Sequence, residues 1–281
     1  MLIKPTIEEA EKNIDFAYEL ALDPTRSGYP TYTDGIKPKE DFVDTCRRGL
    51  VRDDREVLLY LEEGEVAGWI LFLVEDGYLE TNMFNIAGSI PQALAEFTDY
   101  CTRNFPGSKV CMGFPGNNKA AINYLSQNGW SCDEHSYNNV LFFDDYQLCS
   151  EEGHVVKVTR ENYADFRKLH EAVQADMYWN ADRLYDAMDE WDIYLYYEDD
   201  EPTAAIYCRD CEILMEIYGV DFKNECYQKT AFRTLVTKVL NECKRNGKKN
   251  MCFFGEAENQ TDILELGFRC IGEYVLFVKK V

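Results

Sequence analysis

Apolar and polar positions along this chain predict the same series of elements twice. Each series opens with a short strand, residues 2–4 or 155–158, which is followed by an amphipathic helix, residues 8–22 or 161–173. In both helices apolar residues recur every three or four positions, which is typical of a helix with one buried face. Thr6 and Thr159 precede the two helices, and we expect them to cap the N-termini.

An aromatic-rich connection follows each helix, with Tyr29 and Tyr32 in the first series and Tyr178 and Trp179 in the second. Runs of β-branched and aromatic residues separated by acidic turns then predict hairpins. The elements after the connection, in order, are residues 39–48, 57–61, 66–72, 79–86, 89–101, 110–114, 117–125 and 140–143 in the first series, and 182–189, 193–197, 203–207, 212–218, 227–243, 251–255, 258–266 and 274–278 in the second.

This internal duplication predicts two tandem domains. The polar break around residues 149–153 places the boundary between them, so the predicted domains are 1–150 and 151–281. Each has a length that suits a single compact domain. The order of strands and helices is the same in both.

Composition agrees with a folded protein in a reducing compartment. The chain has 281 residues, of which 46% are hydrophobic, and its eleven cysteines are scattered among apolar neighbours rather than spaced as a disulfide framework. No apolar stretch is long enough to cross a membrane, and acids stand where the apolar region of a secretory signal would lie. We therefore expect a cytoplasmic protein with no membrane partner.

The net charge of the chain restricts its expected binding partners further. A net charge of −22 disfavours nucleic acid, since a polyanion would be repelled over most of the surface. Cys208 and Cys211 form a lone CxxC without a second pair of ligands at metal spacing, and the acidic residues 198–201 read as a solvated turn. We predict no metal site. The sequence does not indicate an oligomeric state.

The closing helix of each series carries a motif. The first series has Asn118, then Ala121, and later Gly129–Trp130, with Leu125 where a tyrosine would complete the pattern. With the order of elements, this resembles the GNAT acyltransferase superfamily, and the whole chain resembles a tandem pair of such domains. The resemblance implies an α/β (α+β) fold in which each domain is a mixed, mostly antiparallel sheet flanked by helices.

The second series keeps less of the motif. Only Gly267–Phe268 remains, while Glu256, Asn259 and Ile263 occupy the positions of the family's asparagine, alanine and tyrosine. The resemblance implies transfer of an acetyl group from acetyl-coenzyme A to an amine, carried by a small molecule or a peptide. The alternative is a catalytically inactive tandem GNAT fold that binds a ligand or partner; a third idea, transfer from charged transfer RNA, is disfavoured by the acidity.

In the family, a loop with two glycines before the long helix cradles the pyrophosphate of the donor. In the first series this connection, residues 87–91, is too short, so we predict no cofactor binding there. The second series keeps a longer connection without either glycine, in which the register of the motif stays open between Gln228–Arg233 and a shifted alternative. The predicted cofactor-binding residues are Val220, Tyr227, Gln228, Lys229, Thr230, Arg233 and Asn259.

Charge along this helix offers a second argument. Residues 223–249 carry eight bases and two acids, which favours a phosphate there. The alternative is an ordinary basic helix that complements acidic neighbours.

Glu216 is the predicted catalytic base, because strand alternation places it with Glu212 and Tyr218 on one face, next to where the resemblance implies that the thioester lies. Tyr218 is predicted to line the acyl pocket or donate a proton. Tyr178 and Trp179, with Asp176 ahead of them, lie where the resemblance implies the acceptor pocket, and an aromatic wall beside acids would suit a cationic amine. The plainer alternatives are an exposed carboxylate, aromatic residues that only pack, and a covered edge of the core.

Overall fold

The computed structural model describes residues 1–28, 38–174, 177–211 and 214–281. Tyr29, Tyr32, Asp176 and Glu212 lie outside the described residues. The helices are α1 (Ile7–Lys12), α2 (Ile14–Ala21), α3 (Lys39–Leu50), α4 (Ile90–Asn104), α5 (Lys119–Gln127), α6 (Tyr163–Gln174), α7 (Ala181–Asp186), α8 (Lys229–Arg245) and α9 (Gln260–Glu265). The strands are β1 (Leu2–Ile3), β2 (Arg55–Glu62), β3 (Glu65–Glu75), β4 (Tyr78–Ile86), β5 (Lys109–Pro115), β6 (Ser131–Phe142), β7 (His154–Lys157), β8 (Trp191–Glu198), β9 (Glu201–Cys211), β10 (Leu214–Phe222), β11 (Asn250–Gly255) and β12 (Arg269–Lys280).

The chain forms two compact units, which we call unit 1 (residues 1–136 and 272–281) and unit 2 (residues 137–271). The strand order is β1-β2-β3-β4-β5-β12 in unit 1 and β6-β11-β10-β9-β8-β7 in unit 2. Neighbouring strands are antiparallel except for the parallel pairs β4/β5 and β10/β11. The prediction of mixed, mostly antiparallel sheets flanked by helices is confirmed.

Each sheet buries both faces under helices. In unit 1, one core packs beneath α4 and α5 around Phe97 and Phe114, and the other beneath α1 to α3 around Phe42 and Trp69. In unit 2, α8 and α9 cover one face and α6 and α7 the other. Strands buried on both faces read as continuous apolar runs, which is why they were visible in the sequence.

Helix starts follow local capping chemistry. Thr6 accepts a hydrogen bond from the Glu9 N–H, and Glu9 in turn accepts one from the Thr6 N–H, which is a capping box. Thr159 does not cap, because α6 begins only at Tyr163 and the Thr159 N–H donates to the Asn162 side chain at 2.6 Å.

In the part of the chain that the structure describes, no helix has the length and apolar character needed to cross a bilayer.

The last strand of each half of the sequence lies in the sheet formed by the other half. β6 pairs antiparallel with β11 in unit 2, and β12 pairs antiparallel with β5 in unit 1. The predicted division at residue 150 assigns these strands to the opposite domains. Residues 140–143 and 275–278 have nearly the same apolar pattern, so the pattern alone does not say which sheet each strand joins.

This exchange predicts which unit loses stability when a closing strand is weakened. Phe277 is buried in the core of unit 1 and Leu141 in the core of unit 2. Phe277→Ala should cost about 3–5 kcal/mol through the cavity it leaves. Hydrogen exchange should then increase in β5 and not in β11, and Leu141→Ala should give the reverse. The opposite localisation would contradict the exchange.

Candidate functional site

A β-bulge interrupts β4 in unit 1 and β10 in unit 2. In β4, Thr81 pairs with Phe72 and Met83 pairs with Leu71, so Asn82 is the extra residue. A bulge leaves one residue unpaired and reverses which face the following side chains occupy.

The bulge in β10 lies at the corresponding place. Ile217 pairs with Cys208 and Gly219 with Tyr207, which makes Tyr218 the extra residue. The Tyr207 ring fills the space beside Gly219, where an added Cβ would lie 2.0 Å from the phenol oxygen. Glycine at this position is therefore a steric requirement.

The parallel pairing in each unit stops just before the bulge. The β4/β5 pairs end at Glu80 and Cys111, and the β10/β11 pairs end at Ile217 and Phe253. The remainder of β4 and of β10 therefore borders a gap in the sheet. Glu216 is the counterpart of Glu80, since it pairs with Cys252 as Glu80 pairs with Cys111.

In unit 1 the chain itself fills this gap with residues 26–28. The Gly28 N–H donates to the Phe84 carbonyl at 2.9 Å, and the Arg26 carbonyl accepts from the Ile86 N–H at 2.9 Å. These two bonds continue the sheet in the place of a missing strand.

The motif residue Asn118 holds this segment. Its Nδ2 donates to the Ser27 carbonyl at 3.1 Å while its Oδ1 accepts from the Ala121 N–H, so it caps α5 and secures residues 26–28 together. A Cβ at Gly28 would lie 3.0 Å from the Cβ of Phe84. The close approach of the segment to β4 thus depends on glycine.

Unit 2 differs at the matching backbone groups. Counting from the bulge, Val220 and Phe222 correspond to Phe84 and Ile86. Among the residues that the structure describes, no segment makes a backbone hydrogen bond to Val220 or Phe222 from the side of the gap. This edge of β10 is the clearest difference between the units.

Glu216 and Tyr218 lie at the mouth of the gap. Met215 and Ile217 are buried against the α8 side, so alternation places Glu216 on the α6 side of the sheet, where it is half-buried beside its strand partner Arg209. Tyr218 is 37% exposed. The predicted catalytic pair therefore borders the gap.

An aromatic cluster joins the predicted acceptor residues to Tyr218. The Tyr178 and Trp179 rings are 5.4 Å apart, Trp179 lies 5.0 Å from Trp191, and Trp191 lies 5.3 Å from Tyr218. Residues from a loop, from β8 and from β10 thus meet in one place. Trp191 supplies the link that the sequence did not reveal.

Two arginines cover faces of this cluster. Arg183 stacks 3.8 Å from the Tyr178 ring centre, and Arg209 lies 5.3 Å from that of Trp179. Arg209 also approaches Glu190 at 3.5 Å. One face of each ring expected to meet a cationic amine therefore already carries a cation of the chain.

The start of α8 is organised around a buried acid. Asp262 accepts from the Tyr227 hydroxyl at 2.7 Å, from Lys229 at 2.8 Å and from Arg233 at 2.9 Å. Burial alone would raise the pKa of Asp262, but these hydrogen bonds outweigh it and hold the pKa below its ordinary value. Three of the predicted cofactor-binding residues thus share one internal carboxylate.

The same holds along the basic segment. Among the described residues, seven of its eight bases contact an acid or a carbonyl oxygen of the chain: Lys223, Lys229, Arg233, Lys238, Lys244, Arg245 and Lys248. Glu151, for example, accepts from Lys238 and Arg245. This favours the alternative reading, a basic helix that complements acidic neighbours.

The remaining predicted cofactor residues lie near this helix start. Gln228 is the N-cap of α8 but makes no capping hydrogen bond through its side chain, and Thr230 is exposed in the first turn. Asn259 accepts from the Glu256 N–H at 2.9 Å and so closes its own loop. In the described ranges no group of His, Cys, Asp and Glu is arranged to hold a metal ion.

Solved structures show what fold this is. A GCN5-related N-acetyltransferase from Sphaerobacter thermophilus matches 100% of this chain and 95% of its own at a TM-score of 0.69 and 13% identity. A tandem GNAT protein from the clavulanic acid biosynthesis pathway matches 100% and 98% at 0.58 and 12%. The chain has a tandem GNAT fold.

Other matches agree with this fold. A GNAT acetyltransferase from Colwellia psychrerythraea matches the full length of both chains at a TM-score of 0.53 and 10% identity. No protein-family model and no curated protein sequence matches the chain. At these identities the likeness extends to the tandem GNAT fold and leaves the chemistry to be argued from the site.

Two residues near the candidate site do not stand out in the sequence. His170 and Asp262 were not among the residues predicted from the sequence: His170 contacts Asp221 in the interior, and Asp262 accepts from the Tyr227 hydroxyl. A signal for His170 existed, since it follows the buried Phe166 by one helical turn and therefore lies on the apolar face of α6. Nothing in the sequence pattern marked Asp262.

Asp262→Asn should destabilise the protein by about 1–3 kcal/mol, because it removes a charged acceptor shared by three donors. A depressed folded pKa stabilises above the unfolded value and is lost as pH falls through the folded one. The variant's free energy of unfolding should therefore depend less on pH below about 4. Urea denaturation between pH 7 and 3 measures this. Glu258→Gln, an exposed acid of the same segment, should behave as wild type.

Proposed function

We propose that this chain is a GNAT-type N-acyltransferase that moves an acetyl group from acetyl-coenzyme A to an amine, with the donor bound in unit 2 alone. The observation that carries the proposal is the difference at the gap. In unit 1 residues 26–28 occupy the edge of β4, whereas the matching edge of β10 has no such backbone partner among the described residues.

The edge of β10 suits the amide-containing arm of the donor. The Val220 carbonyl is an acceptor and the Phe222 N–H a donor, spaced as the two groups of β4 that bind residues 26–28. An extended chain with amide groups satisfies such an edge as an added strand does. In unit 1 the protein supplies that chain itself, which supports an extended, amide-containing ligand in the gap of unit 2.

The donor's pyrophosphate fits the start of α8 less well. The first N–H groups of α8 have no side-chain cap, which favours an anion. Lys229 and Arg233, however, are committed to Asp262, and no glycine opens the loop. Backbone donors, rather than these bases, would hold the phosphates, and we expect the affinity to be modest.

The start of α4 in unit 1 is less suitable for phosphates. The Ser89 side chain already caps this helix by accepting from the Gln92 N–H. The Glu62 carboxylate lies against Gly88, where an added Cβ would be 2.0 Å from its oxygen. A carboxylate at this place repels an anion, which agrees with donor binding in unit 2 only.

Glu216 and Tyr218 supply the acid–base chemistry. Glu216 accepts the proton that the amine loses as its nitrogen attacks the thioester carbonyl carbon, and the carbon–sulfur bond breaks as the tetrahedral intermediate collapses. Tyr218 donates a proton to the leaving sulfur and is restored from solvent. The cluster of Tyr178, Trp179 and Trp191 would border the acceptor.

A second function is favoured by one feature of the site. The commitment of Lys229 and Arg233 to Asp262 suits a tandem GNAT fold that has given up the donor and binds a ligand or partner without catalysis. Donor binding separates the two proposals.

Calorimetry with acetyl-coenzyme A should show one donor per chain. Lys229→Glu should weaken binding about tenfold, since it reverses a charge at the helix start. Lys249→Glu, at the far end of the same basic segment, is the matched control and should leave the affinity unchanged.

The outcomes separate cleanly. No binding at millimolar donor would contradict the acyltransferase and leave the non-catalytic function. Binding of two donors per chain would contradict the proposal that residues 26–28 prevent donor binding in unit 1. Equal donor affinity of Lys229→Glu and Lys249→Glu would contradict the proposal that the donor's phosphates lie at the start of α8.

Glu216→Gln should lower kcat about 100-fold or more with unchanged donor affinity, because only the proton acceptor is lost. The assay follows thiol release with a panel of primary amines. Glu80→Gln is the matched control: it alters the counterpart acid of unit 1, whose pKa burial raises, and should leave kcat unchanged. An equal loss in both variants would show a general effect on folding instead of a catalytic role.

A further inference from the structure

His170 and Asp221 form a buried pair that the proposed chemistry does not use. His170 Nδ1 lies 2.7 Å from Asp221 Oδ2, and both side chains are 0% exposed. Asp221 stands in β10 between Val220 and Phe222, so its backbone neighbours are the groups that border the gap. His170 comes from α6, on the opposite face of the sheet from α8.

The second ring nitrogen reaches the acceptor loop. His170 Nε2 lies 3.0 Å from the carbonyl oxygen of Trp179. A carbonyl oxygen only accepts, so Nε2 carries a hydrogen and donates. A neutral imidazole has no second N–H, and the contact with Asp221 therefore requires one further proton, held on Nδ1 or on the carboxyl. With this proton in place, hydrogen bonds connect Asp221 in β10, through the His170 ring, to the Trp179 carbonyl.

Packing fixes the ring in this position. Phe166 stacks on His170 with 5.0 Å between ring centres and an angle of 19°, and Tyr207 meets it edge-on at 5.1 Å. Trp179 in turn packs on Trp191. The buried imidazole has a hydrogen-bond partner at each ring nitrogen, one aromatic ring against its face and another at its edge. It therefore has little freedom to reorient.

Unit 1 uses the same strand position differently. Asn85 is the counterpart of Asp221, and its Nδ2 donates to the Ala17 carbonyl within α2 at 3.1 Å. There the strand is tied to a helix, not to an aromatic loop. The link to a loop occurs in the unit in which the edge of β10 has no backbone partner among the residues that the structure describes.

Resting on the proposed function, we propose that His170 and Asp221 are positioning residues that tie the backbone of Trp179 to β10 beside the donor. They keep the aromatic border of the acceptor site at a fixed place relative to the donor edge. Neither residue touches the reacting atoms.

The test compares two kinds of variant. His170→Phe/Asp221→Leu removes both partners, so no charge is left buried alone, and should fold while breaking the link. Asp221→Asn should preserve it, because the amide donates to Nδ1 while Nε2–H still donates to Trp179. His170→Phe/Asp221→Asn replaces the first variant if that variant fails to fold.

Acrylamide quenching reads the position of Trp179 without any donor. The quenching constant should rise about twofold in the apolar double variant and stay at the wild-type value in Asp221→Asn. The rise should vanish when Trp179→Phe is added. An unchanged constant in the double variant overturns the proposal.

Titration with acetyl-coenzyme A then tests whether donor binding at β10 is coupled to the position of Trp179. Donor binding should change the Trp179 emission of wild type and of Asp221→Asn, whereas the double variant should bind donor by calorimetry without that change. A full emission change in the double variant overturns the proposal. If the wild type binds no donor, the proposed function fails, while quenching still decides whether the pair positions Trp179.

Discussion

A β-bulge in β4 and another in β10 end the pairing of each strand with its parallel neighbour, and the backbone groups beyond each bulge then need other partners. Buried N–H and carbonyl groups left unsatisfied cost about 1–3 kcal/mol each. Unit 1 meets the requirement with residues 26–28, bound to Phe84 and Ile86. Unit 2 leaves Val220 and Phe222 without a comparable backbone partner in the described ranges, and the proposed chemistry depends on that difference.

In two places, groups of the chain itself occupy a position where a ligand could bind. They make the same kinds of hydrogen bond and charge interaction that a ligand would make there. Residues 26–28 supply amide groups to a strand edge, and Asp262 supplies a carboxylate to a helix start lined by Tyr227, Lys229 and Arg233. The first is backbone to backbone within unit 1. The second neutralises the bases that suggested a phosphate, so a local excess of positive charge in a sequence does not by itself mean a free anion site.

The proposed acceptor and acid–base residues come from segments that are distant in the sequence. Glu216 and Tyr218 come from β10, Trp191 from β8, and Tyr178 and Trp179 from the loop after α6. His170 and Asp221 connect that loop to the strand beneath it. Rigid elements thus hold the backbone of Trp179 at a fixed place, which is the arrangement that precise substrate placement requires.

The sequence by itself determined the duplicated order of elements, the mixed sheets and most helix bounds, because periodicity and capping are local properties. It also placed Glu216 and Tyr218 together, since alternation along one strand is local. Only the tertiary structure decided that β6 and β12 exchange sheets, because their apolar patterns are nearly the same. It alone placed Asp262 on the basic helix, His170 on Asp221 and residues 26–28 in the gap, since each contact joins segments far apart in the chain through geometry that no local pattern encodes.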